Sequence, residues 1–183
     1  RAMYGSFVDD FLRPLLAGEG TQRDAVSIII MRGDSNVKFR RRALNEQLIE
    51  DIRSAMTEEK PRGAGNYIPA LQLAGKLIKE DAGTGLRVPV RLIFLSDGAP
   101  SDNIPANTAV GDVKTAVNGM VSGELMRALH LGDPQFGRRG MRHRISVDLV
   151  GFGDRETNFS ALQRMAHDGT FRAHLVPRLV SLS

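Results

Sequence analysis

The 183-residue chain contains no cysteine and no tryptophan, and only 5% of its residues are aromatic. Without thiols there are no disulfides, no thiolate zinc sites and no cysteine nucleophile. Nothing therefore demands an oxidising compartment, and an intracellular setting is weakly favoured. So few aromatics leave no stacking platform for single-stranded nucleic acid. No apolar run is long enough to cross a bilayer and no signal-peptide pattern opens the chain, so no membrane association is expected. The first residue is Arg1 rather than methionine, which reads as the start of a fragment.

What is present is ordinary for a globular chain: 42% hydrophobic and 25% charged residues. The length suits one α/β domain over residues 1–183 and is short for two. The net charge of +4 is unevenly spread. It concentrates at Lys38, Arg40, Arg41 and Arg42, and again at Arg138, Arg139, Arg142 and Arg144. Two such clusters suit an acidic partner better than a diffuse balance would.

The most informative stretch is VRLIFLSDGAPSD, Val90 to Asp102. Val90, Leu92, Ile93, Phe94 and Leu95 are too continuously apolar for a half-exposed strand, so they predict a strand covered on both faces in a parallel sheet. Ser96, Asp97 and Gly98 then stand at its carboxyl end. Ligands of open α/β sheets bind at that end, and a carboxylate on a tight turn there is placed to hold a hard cation.

Around this strand the apolar spacing predicts a helix over 3–17 with Pro14 kinking its last turn, and a buried strand over 25–31. Gly33, Asp34 and Ser35 turn that strand back into Val37 to Arg41, an edge strand with alternating basic residues. Leu48, Ile49, Ile52 and Met56 mark a helix. A glycine-rich loop and a helix over 68–80 come next. Val110 to Ala128 carries the longest helical stripe, weakened by Gly119 and Gly123. Ile145 to Val150 is a strand closed by Gly151, Phe152 and Gly153; Phe159, Leu162 and Ala166 mark a helix, and Phe171 to Val176 a last strand. Strands separated by helices at this spacing imply a doubly wound sheet with a hairpin near one edge.

The order of these elements and four local phrases resemble the von Willebrand factor type A family. The phrases are the hairpin, GAGNYIPAL opening a helix, FLSDGAPSD, and VDLVGFGDRETNFSALQRMAHDGTF. The resemblance implies a Rossmann-like, doubly wound, mostly parallel sheet flanked by helices, with an antiparallel edge hairpin. It also implies a metal-ion-dependent adhesion site at the carboxyl ends of the strands. In the family that site takes an Asp-x-Ser-x-Ser turn, a threonine in a glycine-rich loop, and an aspartate followed by glycine.

Asp97, followed by Gly98, matches the third element. Counting back from Ala70 and Leu71 puts Gly65 where the threonine would stand, so that ligand is absent, while Asn66 beside it offers an amide oxygen. The first motif is missing, together with the central first strand that carries it, which makes the domain incomplete at its N-terminus. Asp97, Ser96 and Asn66 are thus the metal-site candidates, with Ser96 supporting a ligand by a hydrogen bond. Gly65 and Asp102 are the partner-facing candidates, Asp102 also steadying the loop before Ile104. Mg²⁺ needs several oxygens in near-octahedral geometry, so weak or no binding is expected of this piece itself.

The implied function is a protein-binding module without enzymatic activity of its own, whose partner contributes an acidic side chain to a divalent cation. One alternative is a metal-independent basic scaffold that binds RNA or another acidic partner through the arginine clusters. Another is a nucleotide-binding enzyme domain at Gly151-Phe152-Gly153. Its fingerprint is spoiled by Glu156 at the third glycine position, where negative charge opposes a pyrophosphate. Arg32-Gly33-Asp34 spells a receptor-binding tripeptide, but glycine and aspartate are also what a tight turn needs. The four histidines have neither metal nor triad spacing.

Overall fold

A computed structural model describes residues 7–17, 24–58, 65–83, 89–96, 98–103, 112–133, 145–153, 156–169 and 172–177. The chain divides into two compact units, one of Arg1–Ile30 with Asn36–Gly63 and one of Met31–Ser35 with Ala64–Ser183.

In the first unit a π-helical turn, Phe7–Leu12, runs into helix α1, Arg13–Ala17. The kink expected in the last turn is instead a widened turn just before Pro14, which has no N–H for the carbonyl four residues earlier. Strands β1, Ala25–Ile30, and β2, Asn36–Ala43, form the expected antiparallel hairpin. The register jumps between Val26 and Ile28 and again between Ile28 and Ile29. At the first jump Arg41 adopts φ 48°, and its amide donates to Ser27 Oγ at 3.0 Å in place of a ladder bond. β1 is not the buried strand that its composition predicts: Ala25 and Ser27 are exposed and only Ile30 is buried. Its one neighbour among the described strands is β2, so the sheet offers it little cover.

Helix α2, Glu46–Glu58, follows. Asn45 Oδ1 accepts the Leu48 amide at 2.8 Å, and the buried Leu44 and Ile49 bracket that cap as a hydrophobic staple. Val8, Leu12, Ile30, Leu44, Leu48, Ile49 and Ile52 form the core of this unit. Outside it, Arg13 reaches Asp9, Glu46 and Glu50 at 3.4, 3.5 and 3.2 Å, an exposed network in which each pair contributes at most about 1 kcal/mol.

The second unit holds helix α3, Tyr67–Gly83; strand β3, Val90–Ser96; helix α4, Val113–Gly132; strand β4, Ile145–Gly153; helix α5, Ser160–Gly169; and strand β5, Arg172–Pro177. The strands form a parallel sheet in the order β3-β4-β5. Each helix between two of them is the crossover that a parallel pair requires. Tyr67, Leu71, Phe94, Val121, Leu125, Leu149, Leu162 and Met165 are among the residues of one apolar cluster joining sheet and helices. α3 and α4 approach so closely that a Cβ on Gly75 would stand 2.8 Å from Ala128 Cα.

β3 differs from its expected full burial. Arg91 is exposed, Val90, Leu92, Ile93 and Leu95 are half-buried, and only Phe94 and Ser96 are buried. The reason is position, because β3 is an edge of its sheet among the described residues while β4 is the middle. Ile145, Val147 and Leu149 of β4 are buried accordingly.

Candidate functional site

Parallel strands end together, so the carboxyl ends of β3 and β4 make one rim. Ser96 and Gly151 are direct partners in the register. The chain from Gly98 to Asp102 leaves that rim and is tied to the start of α3. Ser101 N–H donates to the Gly65 carbonyl at 3.1 Å. The Asp102 carboxylate takes the first two amides of the helix, Tyr67 N–H at 2.7 Å and Ile68 N–H at 3.0 Å. A carboxylate at this position also faces the positive end of the helix dipole.

Tyr67 fastens the same corner from inside. Its ring is buried and meets Phe94 edge-on, with centroids 4.9 Å apart. Its hydroxyl donates to the Gly98 carbonyl and bonds Ser96 Oγ. Ser96 Oγ also accepts the Gly98 amide at 3.2 Å. The Ser96 hydroxyl thus shapes the turn. Tyr67 was passed over in the sequence, although it is one of only two tyrosines and opens a helix right after Asn66.

Four of the five metal-site and partner-facing candidates, Ser96, Asn66, Gly65 and Asp102, stand at this corner. Asp97 lies outside the described residues. Among the described residues the donor set does not fit a hard cation. Ser96 Oγ and both Asp102 oxygens are committed to the hydrogen bonds above, and of the candidate oxygens only Asn66 Oδ1 is buried with no protein donor. Among the described residues no three histidine, aspartate or glutamate side chains are grouped to hold a metal.

The neighbouring strand ends differently. A Cβ on Gly151 would stand 2.6 Å from the Phe159 ring, so this glycine is accounted for by close packing. Beyond it, Asn158 Oδ1 accepts the Ser160 amide at 3.1 Å and starts α5. α4 starts from Asp112, whose carboxylate accepts the Lys114 and Thr115 amides at 3.1 and 3.3 Å. The Thr115 hydroxyl, and then the Lys114 amide, hold the Asp112 carboxyl below its usual range.

An open groove of about 330 Å³ runs between α4 and α5, lined by Thr115, Asn118, Ser160, Gln163 and Arg164. Two polar ties join the helices: Asn118 Nδ2 donates to Ser160 Oγ at 2.9 Å, and Ser122 Oγ to Asp168 at 2.8 Å. The Arg164 guanidinium at 2.7 Å, with help from Ser122 and His167, pulls the Asp168 carboxyl down to about 2. These bonds read as a staple between helices.

Arg42 pairs with Asp51 at 3.0 Å, and Arg138 to Arg144 lie outside the described residues. In the hairpin turn Gly33 and Asp34 are exposed, and Ser35 Oγ closes the turn on the Arg32 amide and carbonyl, both at 3.3 Å.

Among solved structures the chain is similar to a von Willebrand factor type A protein from Catenulispora acidiphila, with a TM-score of 0.55 and 15% identity over 95% of this chain. The fold is von Willebrand A-like. The chain spans 36% of the length of that neighbour. No family model matches the sequence, and no curated protein does. Within the von Willebrand A-like fold, the corner of Ser96, Gly65 and Asp102 stands at the carboxyl rim that the sequence singles out. No helix among the described residues is long and apolar enough to cross a membrane.

Proposed function

We propose that this chain is a von Willebrand A-like protein-binding module whose partner docks on the carboxyl rim of the parallel sheet. One observation carries this reading: the chain after β3 is held at that rim by Tyr67, Ser96 and Asp102, which present residues 98–102 on a fixed base. A loop positioned by a rigid scaffold is where binding residues are most often found. The module itself performs no chemistry in this reading; any enzymatic activity of its parent would belong to a domain attached elsewhere.

The complete domain has a doubly wound sheet in which a further strand pairs with β3. The apolar run of Leu92 to Leu95, half-open at a sheet edge among the described residues, supports this, since an uncovered edge of such composition invites pairing. Divalent-metal dependence then needs Asp97 together with oxygens that the described residues do not supply. Asp97 would lie beside Ser96, and an acidic side chain of the partner would face it.

Calorimetric titration of the full-length protein with Mg²⁺, wild type against Asp97→Ala, tests the metal component. Heat released by the wild type and lost in the variant supports it, and identical heats remove it. The alternative, RNA binding, draws on the exposed Lys38, Arg41 and Arg42 of the hairpin. RNA affinity that falls steeply with salt would favour it, and a flat response would exclude backbone contacts.

A further inference from the structure

Asn66 immediately precedes α3, at the position where asparagine is among the best helix caps. A side chain there accepts the amide of the second or third helical residue. The third is Pro69, which has no N–H, so Ile68 is the single donor within reach. Asp102 already holds that donor at 3.0 Å, together with Tyr67 N–H at 2.7 Å. Asn66 Oδ1 is left buried with no protein donor. Two acceptors thus compete for the Ile68 amide, one from two positions back and one from 34 positions away.

We infer that Asn66 and Asp102 are alternative caps of α3, and that their exchange makes residues 99–102 a strap that lets go at its Asp102 end while Tyr67 and Ser96 keep Gly98 on the rim. In the latched arrangement Asp102 holds both amides and Asn66 is idle. In the released arrangement Asn66 turns onto Ile68 N–H, the helix stays capped, and the Asp102 carboxylate is freed at the rim. Burying an acceptor without a donor is unfavourable, so release relieves the Asn66 oxygen while it gives up the bond to Tyr67 N–H and exposes the Ser101–Gly65 tie to water. The two arrangements are therefore closer in free energy than removal of an ordinary cap would make them. The functional meaning of the strap rests on the rim being the docking surface; the exchange of caps does not.

The asymmetry between the two amides provides the test. Asn66 reaches Ile68 but not Tyr67, so Ile68 N–H is covered in both arrangements and Tyr67 N–H only in the latched one. Amide exchange of the chain, followed by NMR and corrected for intrinsic rates, should show Tyr67 exchanging about tenfold faster than Ile68 in the wild type. Asn66→Ala should abolish the difference by speeding Ile68. In Asp102→Ala, Tyr67 should lose its protection while Ile68 stays within about threefold of wild type, and the double variant should lose both. Equal exchange of the two amides in the wild type, or an Asn66→Ala variant that leaves Ile68 unchanged, would overturn the inference. The wild type and Asn66→Ala suffice if Asp102→Ala does not fold. No partner or metal enters the measurement, so its failure leaves the docking reading intact, and the Mg²⁺ titration leaves this one intact.

Discussion

β3 and β4 end side by side at one rim, Ser96 level with Gly151, and they end by opposite means. At Ser96 the finish is polar and long-range: a hydroxyl, a phenol and a carboxylate tie the strand end to a helix that starts nearly thirty positions earlier. At Gly151 it is apolar and local, a bare backbone under a phenyl ring eight residues on. The polar finish leaves a hydrogen-bonded loop that other groups are able to enter, and the apolar one is closed by contact. The contrast teaches that sharing a rim does not make two strand ends equally suited to a ligand.

The largest effect should come from the closed end. Gly151→Ala forces a methyl group against Phe159 and should cost about 1–3 kcal/mol in urea denaturation, with Phe159→Ala in the same chain recovering part of it. Full stability in Gly151→Ala would break the contrast. At the polar end, Tyr67→Phe removes the hydroxyl from Ser96 and Gly98 but keeps the ring on Phe94. A loss of about 1 kcal/mol is expected there, smaller because the Gly98 amide still bonds Ser96.

The smallest effect lies away from both ends, in the staple between α4 and α5. The Asp168 carboxyl is held at about 2 against an ordinary 3.8, so its contribution is fully present above 3.8 and is lost as the pH falls through about 2. The advantage of wild type over Asp168→Asn should shrink across that window. Because Arg164 and Asp168 are both partly open to solvent, the difference should stay at about 0.5 kcal/mol at neutral pH.

Much of the fold was legible because its signals are local. The apolar spacing of Leu48, Ile49 and Ile52, the turn at Gly33 to Ser35 and the run from Val90 to Leu95 each act within a few residues, and the helices, hairpin and parallel strands appear where those signals lie. The glycine pair after Val150 misled on length: β4 extends to Gly153 because Gly151 both pairs in the sheet and makes room for Phe159. The candidate site was legible only in outline. Ser96, Asn66 and Gly65 do gather at one corner, but their partners were hidden, since no spacing rule links Asp102 to the amides of Tyr67 and Ile68.

Sequence alone determined the kinds of element and the chemistry available, because backbone preference and apolar periodicity operate over one or two turns of chain. It also determined that Pro69 has no amide to give. Tertiary structure decided which strand is central and which is an edge, and hence how deeply equally apolar runs are buried. It decided as well that Asp102, not Asn66, holds the start of α3, because a hydrogen bond depends on distance in space, and the fold brings the remote carboxylate within reach of both amides.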